Sequence, residues 1–162
     1  MTVYSTLETP VGQLLLAGDG DVLSSVRFTD SVSVVPAGWR LVLDSFAAAK
    51  RQLAAYFDGS LREFSLVTGV AGTEFQERVW ASLDEIPYGS TVTYGEVAAE
   101  VGAPRDRIRA VAAAIGANPL LIVRPCHRVI GADGSLTGYA GGLERKRELL
   151  TLEGALQPQL AL

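Results

Sequence analysis

The sequence predicts a small α/β domain with an antiparallel sheet and one helix, followed by a mainly α-helical domain that contains a helix-turn-helix. Three observations support this prediction. The first third of the chain has alternating or apolar runs separated by hairpin glycines. Beyond residue 72 the apolar residues recur at helical spacing. Near residue 100, two short helical segments flank a turn with glycine and proline. The predicted organisation is residues 1–68 for the first domain, 69–154 for the second and 155–162 for a tail.

Strands account for most of the first domain. They are expected at residues 2–7, 13–17 and 22–28, with the glycine-rich residues 18–21 as a hairpin signal between the last two. Residues 31–40 contain proline and glycine and are expected to form a loop. Residues 62–67 are expected to add one more strand.

One helix is expected in the first domain, over residues 44–57. Its apolar stripe consists of Phe46, Ala49, Leu53 and Phe57. Asp44 or Ser45 can cap its start, since short polar side chains accept hydrogen bonds from the first free N–H groups. Gly59 stands where a helix commonly ends in a left-handed residue.

The second domain is expected to open with a helix that begins at Thr73. Thr73 and Gln76 have the spacing of a capping box. One face of this helix is apolar: Phe75, Val79, Trp80, Leu83 and Ile86. The residues at 87–90, beginning with proline, are expected to stop it.

The helix-turn-helix is predicted at about residues 94–117. Residues 94–101 form the first helix, residues 102–104 the turn, and residues 105–116 a second helix with Arg105, Arg107 and Arg109. Beyond these arginines the second helix is mostly alanine, whereas a sequence-reading helix carries long polar side chains. Small side chains suit close, sequence-independent approach to a narrow groove. The alternative is that the alanines pack inward.

Composition and charge limit the function classes. The 162 residues carry a net charge of −4, one cysteine and one histidine. A disulfide scaffold and a four-ligand zinc site are therefore excluded. Neither a signal peptide nor a membrane span is visible, so a cytoplasmic protein is expected. Residues 101–150 carry +4 and the remainder −8; this basic segment either binds a polyanion or forms solvated helix faces.

The only cysteine and the only histidine are adjacent, as Cys126 and His127. Pro125 fixes the approach to them and Arg128 adds positive charge, which favours the reactive thiolate. Neighbours in sequence rarely face each other, so His127 is expected to take the thiol proton through a water. A carboxylate would orient the imidazole, and Glu153, at the end of the last helix, is the best candidate.

The segment Pro125-Cys126-His127-Arg128-Val129-Ile130 resembles the signature of the O6-alkylguanine-DNA alkyltransferases, the methylated-DNA–protein-cysteine methyltransferases. Further similarities follow in the order of that family over roughly residues 72–154. They are Phe75-Gln76 with Val79-Trp80, Ile86-Pro87-Tyr88-Gly89, Thr93-Tyr94-Gly95-Glu96, Arg109-Ala110-Val111, Asn118-Pro119, Gly138-Tyr139 with Gly141-Gly142-Leu143, and Leu149-Leu150 with Glu153-Gly154.

The resemblance implies direct-reversal DNA repair, in which an alkylated guanine is flipped out of the duplex. Cys126 would accept the alkyl group in a single turnover that leaves the protein irreversibly S-alkylated. The implied roles are His127 as water-mediated base, Glu153 as its orienting partner, Asn118 as the residue that orders the active-site turn, and Tyr94 as the residue that rotates the nucleotide and donates a proton. For substrate binding the resemblance implies Tyr139 in the pocket lining, backbone groups near Cys126 and Val129 at the base edge, and Arg128, which is expected to brace the segment. Arg109 would intercalate, and Ala110, Ala113 and Ala114 would contact DNA.

The resemblance also implies partners and exposes one departure. The expected partner is double-stranded DNA with O6-alkylguanine, contacted in the minor groove; no cofactor, metal or membrane is required. A monomer is expected, with cooperative assembly on DNA as an alternative. Arg124 stands where the family usually has an aliphatic residue, so it needs a partner if it is buried.

Three other functions compete with alkyl transfer. A non-catalytic binder of alkylated DNA would lack the cysteine, which is present here. A transcriptional regulator would leave the Cys126–His127 pair unexplained. A thiol hydrolase would turn over many times and would ignore DNA.

Overall fold

The computed structural model describes residues 1–32 and 34–157, so the end of the predicted tail, residues 158–162, lies outside the described residues. The chain divides into two compact units. The first comprises Met1–Ala71 together with Pro119–Val123. The second comprises Gly72–Asn118 and continues from Arg124. The short segment Pro119–Val123 thus belongs to the first unit, although the sequence pattern places it in the second domain.

The first unit contains a four-stranded mixed sheet. Its strands are β1 (Val3–Thr9), β2 (Gly12–Asp19), β3 (Val22–Phe28) and β4 (Arg40–Leu41), in the spatial order β3-β2-β1-β4. The first three pair antiparallel, and β4 pairs parallel to β1. The three predicted strands are therefore confirmed, while the short β4 lies at the end of a segment expected to be loop. Along the other edge, Val26 on β3 exchanges backbone hydrogen bonds with Pro119 and Leu121.

Helix α1 (Ala47–Phe57) starts later than the pattern predicts. Its N-cap is Phe46, with a left-handed φ of 60° and no side-chain capping bond. The predicted caps Asp44 and Ser45 are wrong, because burial of the Phe46 ring fixes the start of the helix there. The predicted end is confirmed: Gly59 has φ of +87°, and it and Ser60 donate to the last free carbonyls of the helix.

The predicted strand at residues 62–67 does not form. Gln52 of α1 donates to the Ser65 carbonyl at 3.1 Å and accepts from the Ser65 N–H at 2.9 Å. A helix side chain therefore takes the backbone groups that a ladder would need. Directly after this segment, Thr68 forms an isolated bridge to Leu23 on β3.

The second unit is mainly helical, as predicted. Its elements are α2 (Glu74–Asp84), β5 (Val92–Thr93), α3 (Tyr94–Glu100), α4 (Ile108–Gly116), β6 (Val129–Ile130) and α5 (Leu143–Leu152). Both hydrogen bonds of the Thr73–Gln76 capping box are present, and Val79, Trp80 and Leu83 are buried. A second capping box, Thr93 with Glu96, starts α3.

The helix-turn-helix is confirmed as part of this fold. Helix α3 leads through Gly102, with φ of +71°, to a 3-10 turn at Arg105–Arg107 and then to α4. Val111, Ala114 and Ile115 of α4 are buried, so this side of the helix faces the core of the unit. Among residues 1–32 and 34–157, no helix is long and apolar enough to cross a membrane.

Candidate active site

The thiol of Cys126 lies on a short 3-10 turn, Cys126–Arg128, directly after Pro125. The turn is held by its backbone: the N–H of Cys126 donates to the carbonyl of Arg124 at 2.8 Å, and Arg128 donates to Pro125 at 3.1 Å. Parallel pairing of β5 with β6 fixes the chain directly after the turn. Cys126 is buried and free of any disulfide, yet it lines a pocket of about 480 Å³. A ligand in that pocket would meet the sulfur directly.

His127 is paired with Glu153, the residue that caps the end of α5. The imidazole Nε2 and the carboxylate Oε2 are 2.7 Å apart, and both side chains are fully buried. Arg128 donates to the same carboxylate through Nε at 2.7 Å and Nη2 at 3.1 Å. A carboxylate held by a guanidinium in this way is an acceptor, so Nε2 of His127 must be the donor. The predicted pairing of His127 with Glu153 is present.

This tautomer leaves Nδ1 of His127 with a lone pair. Nδ1 is buried, and no described residue hydrogen-bonds to it. Burial lowers the pKa of His127 below its usual value, while the hydrogen bond that His127 donates to Glu153 opposes that shift. The imidazole is therefore neutral at neutral pH and able to accept a proton.

The Cys126 thiol is protonated in the resting protein. Burial raises its pKa, because the thiolate is poorly solvated away from water. A hydrogen bond from Asn118 and the charge of Lys146 partly offset this effect. The nucleophile therefore requires a base before it can react.

Asn118 orders the chain before the nucleophile. Its side-chain Nδ2 donates to the carbonyl of Arg124 at 3.0 Å, and its amide also bonds to Cys126. Asn118 is only 5% exposed, so these bonds are shielded from competing water. These bonds place Asn118 at the active-site turn, and the ordering role that the resemblance implies stays a prediction.

The pocket walls come from α3, α4 and the loop before α5. Its lining residues are Tyr94, Ile108, Arg109, Ala112, Ile115, Gly116, Cys126, Thr137, Gly138, Tyr139 and Ala140. The hydroxyl of Tyr94 donates to the carbonyl of Thr137 at 2.7 Å. The hydroxyl of Tyr139 is buried without a hydrogen-bond partner among the described residues, and its ring stands edge-on to His127. Tyr94, Arg109 and Tyr139 thus surround one space with the thiol.

Two residues predicted on the substrate side are not at the pocket wall. Val129 is fully buried, and its carbonyl accepts from Lys146 Nζ at 2.5 Å. Arg128 donates hydrogen bonds to Glu153 and to the carbonyl of Ile86, the latter at 2.7 Å. Neither side chain lines the pocket, so contact of these two residues with substrate stays a prediction, while Arg128 braces the buried carboxylate.

The alanines of α4 do not share one environment. Ala113 is exposed and Ala110 half-buried. Ala114 is 3% exposed, and its carbonyl accepts a hydrogen bond from Trp80 Nε1 at 2.9 Å. Helical period turns Ala114 toward the core, and its contact with DNA stays a prediction. Ala112 and Gly116, not Ala114, share the pocket side with Arg109.

Sequence reasoning missed Lys146. Its side chain is fully buried in α5, and Nζ also donates to the carbonyls of Thr137 at 3.0 Å and Gly138 at 3.1 Å. Burial lowers the pKa of Lys146 to about 8. One signal was available: Lys146 lies one helical turn before the apolar pair Leu149–Leu150, on the face that must be buried.

Comparisons with known proteins match nearly the whole chain to one family. The model for the DNA binding domain of 6-O-methylguanine DNA methyltransferase matches residues 74–155, and the model for its ribonuclease-like domain matches residues 2–68. The methylated-DNA–protein-cysteine methyltransferase of Mycolicibacterium paratuberculosis is 50% identical over 159 residues, or 98% of this chain and 96% of the relative. The same protein of Methanosarcina acetivorans is 49% identical over 154 residues, covering 94% and 98%.

Solved structures of the same family are also similar to this chain. A crystal structure of Mycobacterium tuberculosis OGT in complex with DNA has a TM-score of 0.88 and 48% identity, covering 94% of this chain and 93% of that chain. An O6-methylguanine DNA methyltransferase from Methanococcus jannaschii, 23% identical, has a TM-score of 0.64 and covers 96% of both chains. The second likeness concerns the fold alone.

Proposed function

Because the chain belongs to the 6-O-methylguanine DNA methyltransferase family, we propose that Cys126 accepts the alkyl group of O6-alkylguanine in DNA. The chain is a direct-reversal DNA repair protein, a methylated-DNA–protein-cysteine methyltransferase. In the reaction the bond between O6 and the alkyl carbon breaks and a bond between that carbon and the Cys126 sulfur forms. Since the thioether is stable, each molecule acts once. One observation carries the assignment of the acceptor: the only thiol of the chain lines the pocket.

The proton of the thiol leaves through His127. Neutral His127 offers Nδ1 as acceptor, and a water between Nδ1 and the sulfur would carry the proton. Glu153, fixed by Arg128, holds the ring and stabilises the imidazolium that forms. The thiolate then exists only when the proton has moved, next to the cationic Lys146.

The leaving guanine needs a proton, and Tyr94 is placed to supply one. Its hydroxyl lies at the pocket wall and is held by the Thr137 carbonyl in the resting state. A guanine in the pocket would compete for this hydroxyl. Tyr94 would therefore help to rotate the nucleotide and then donate to the base as its bond to the alkyl carbon breaks.

Helix α4 would deliver the damaged base to the pocket. Arg109 is exposed at the start of α4 and lines the same pocket as Cys126. A flipped nucleotide leaves a gap in the base stack, which this side chain would fill. The small Ala110 and Ala113 would let the helix backbone approach the minor groove closely. Relatives have been solved with DNA, such as the M. tuberculosis protein, and this supports DNA as the partner here.

Alkyl transfer from oxygen to sulfur is redox-neutral and needs no cofactor. A free thiol acceptor requires a reducing compartment, which supports a place in the cytoplasm. We propose that the protein acts as a monomer on double-stranded DNA that contains O6-alkylguanine, because one chain holds the nucleophile, its base and the pocket.

The test is the intact mass of the protein after incubation with a duplex that contains one O6-methylguanine. We expect a gain of one methyl group, mapped to Cys126 and saturating at one per chain. Cys126→Ala should bind the duplex and gain nothing. A methyl group on another residue, repeated turnover, or tight binding of the wild type without a mass gain would each contradict the proposal. The last outcome indicates a non-catalytic binder of damage, and repeated turnover indicates a hydrolase.

A further inference from the structure

Arg124 is a cation packed directly behind the nucleophile segment. Its side chain is only 14% exposed. The guanidinium lies over the ring of Trp80, 5.1 Å from the ring centre. Its Nε is 3.5 Å from Oδ1 of Asp84, the last residue of α2. The arginine is therefore held between an aromatic face and one half-exposed carboxylate.

Packing alone does not account for an arginine at this position. Nη1 is buried without a hydrogen bond to any described residue, and Nε meets only the Asp84 carboxylate, at 3.5 Å. A buried, unsatisfied cationic donor is destabilising, and an aliphatic side chain would avoid that penalty. An aliphatic side chain, which the family usually has at this position, could fill the same space.

The backbone of Arg124 is part of the active-site turn. Its carbonyl accepts from Asn118 Nδ2 at 3.0 Å and from the N–H of Cys126 at 2.8 Å. Trp80, on which the guanidinium rests, donates through Nε1 to the carbonyl of Ala114 in α4. The side chain of Arg124 thus connects the turn that carries the thiol to α2, and through Trp80 to the helix that carries Arg109.

We propose that Arg124 is a positioning residue for Cys126: it anchors the nucleophile turn on Trp80 and provides a positive charge that Asp84 partly neutralises. The inference rests on the proposed role of Cys126 as alkyl acceptor. It assigns Asp84 a function as well, since the carboxylate sets how much of the arginine charge the thiol senses. The pair therefore tunes the reactivity of the thiol.

Several titratable and charged groups lie around the thiol and form its electrostatic environment. They are the His127 imidazole, Arg128 and Glu153 around the turn, Lys146 from α5, the phenols of Tyr94 and Tyr139 at the pocket wall, and Arg124 itself. Burial is the largest influence and raises the pKa of Cys126; Asn118, Lys146 and Arg124 each lower it. Burial also raises the pKa of Asp84, and Arg124 opposes this.

This arrangement predicts shifts of opposite sign. Arg124→Met keeps the length of the side chain and removes the charge, so the thiolate is less stable and the pKa of Cys126 rises. Asp84→Asn removes the opposing charge, so the arginine acts more strongly and the pKa of Cys126 falls. Arg124→Lys keeps the charge and should restore most of the wild-type behaviour. If Arg124 had a purely structural role, these substitutions would lower the free energy of unfolding without shifting the pKa of Cys126 in opposite directions.

The experiment follows S-alkylation of the single thiol by iodoacetamide as a function of pH, with intact mass as the readout. We expect the midpoint to move up in Arg124→Met and down in Asp84→Asn, by roughly half a pH unit each, or about threefold in rate at a fixed pH below the midpoint. Arg147→Met and Glu148→Gln, which change exposed charges on α5, serve as controls and should not move it.

Shifts in the same direction, or no shift in either variant, would overturn the inference. If Arg124→Met does not fold, as judged by its thermal unfolding, Arg124→Lys and Asp84→Asn decide alone: the lysine variant should remain near wild type while the asparagine variant moves down. Iodoacetamide titration does not require DNA. A wild type that fails to accept methyl from DNA, but whose thiol shifts as described, would refute the proposed function and leave the electrostatic coupling standing.

Discussion

Burial is the main influence on the protonation states of Cys126 and His127. Desolvation raises the pKa of the thiol and lowers that of His127, so both residues favour their neutral forms. The resting site therefore holds a thiol and an imidazole rather than a thiolate–imidazolium ion pair. The reactive thiolate forms only when the thiol proton moves to His127. This requirement limits side reactions of the thiol before an alkylated guanine is bound.

Glu153→Gln should slow alkyl transfer. An amide cannot accept from His127 and Arg128 as a carboxylate does, so the tautomer with Nδ1 free is no longer enforced. We expect a loss of about 10²-fold and a shift of the rate profile to higher pH, measured as methyl transfer from O6-methylguanine duplex. Glu148→Gln, an exposed change on the same helix, is the matched control. An unchanged pH profile in Glu153→Gln would count against the relay.

The single histidine predicts how stability depends on pH. Because the pKa of His127 is lowered in the folded protein, the unfolded chain binds a proton that the folded chain does not. The free energy of unfolding should therefore decrease as the pH falls through the unfolded value near 6.5. Urea unfolding from about pH 7.5 to about pH 5.5 would measure this slope. His127→Gln should have a smaller slope, and equal slopes would contradict the prediction.

At the scale of elements, helix α4 separates two functions by its two faces. Val111 and Ala114 pack inward, Arg109, Ala112 and Gly116 face the pocket, and the buried Ile115 belongs to the pocket wall as well. The buried face fixes the helix, and the small residues on the other face leave space beside the arginine. The helix thus presents the long side chains of Ile108 and Arg109 at its start and small side chains along the rest of this face.

Arg109→Ala should separate repair of duplex from reaction with the free base. Without the arginine the gap left by a flipped nucleotide stays empty, so repair of O6-methylguanine in duplex should slow by tenfold or more, on the order of a few kcal/mol of unstacking. Reaction with free O6-benzylguanine needs no flipping and should change little. Arg51→Ala removes the same charge from an exposed position of α1, outside the basic segment, and is the control. Equal losses on both substrates would exclude an intercalating role.

Thr73→Ala should destabilise the second unit at the start of α2. The substitution removes the oxygen that accepts from the Gln76 N–H at 3.1 Å, a loss of about 1 kcal/mol in the free energy of unfolding. Thr73→Ser keeps this oxygen and should be close to wild type. Thermal unfolding of the three proteins tests the prediction, and an alanine variant as stable as wild type would refute it.

Local signals explain which elements could be predicted. The Thr73–Gln76 capping box and the stripe around Val79 depend on residues within one helix, and both are confirmed. The start of α1 depends on the burial of Phe46, and the absence of a strand at residues 62–67 depends on the distant Gln52. Such contacts have no signature in local spacing. Lys146 was missed for a similar reason, since the three carbonyls that hold it lie outside its helix.

At the scale of the whole molecule, charge is distributed unevenly along an acidic chain. The net charge is −4, yet residues 101–150, which contain α4 and the nucleophile turn, carry +4. Several of these arginines are exposed, including Arg105, Arg107 and Arg109. An anionic duplex would therefore be attracted to this segment and repelled by much of the remaining surface.

Binding to DNA should weaken with salt. Each phosphate neutralised by a cationic side chain releases counterions, giving a slope of about −0.9 in log affinity against log salt per contact. Cys126→Ala with O6-methylguanine duplex, measured between about 50 and 200 mM salt, isolates binding from transfer. Arg105→Ala should reduce the slope by about one. A flat dependence for the parent protein would contradict an electrostatic role of the basic segment.

The late return of Pro119–Val123 to the first unit affects how the chain can fold during synthesis. When the ribosome has added Ala71, the outer edge of β3 still lacks the segment that bonds to Val26. About 50 further residues must be translated before it arrives, which takes roughly 3 to 10 s at ordinary elongation rates. During that interval the nascent sheet exposes an open edge at which another chain could pair. The segment that closes this edge directly precedes Arg124 and Cys126, so completion of the first unit and arrival of the nucleophile coincide in time.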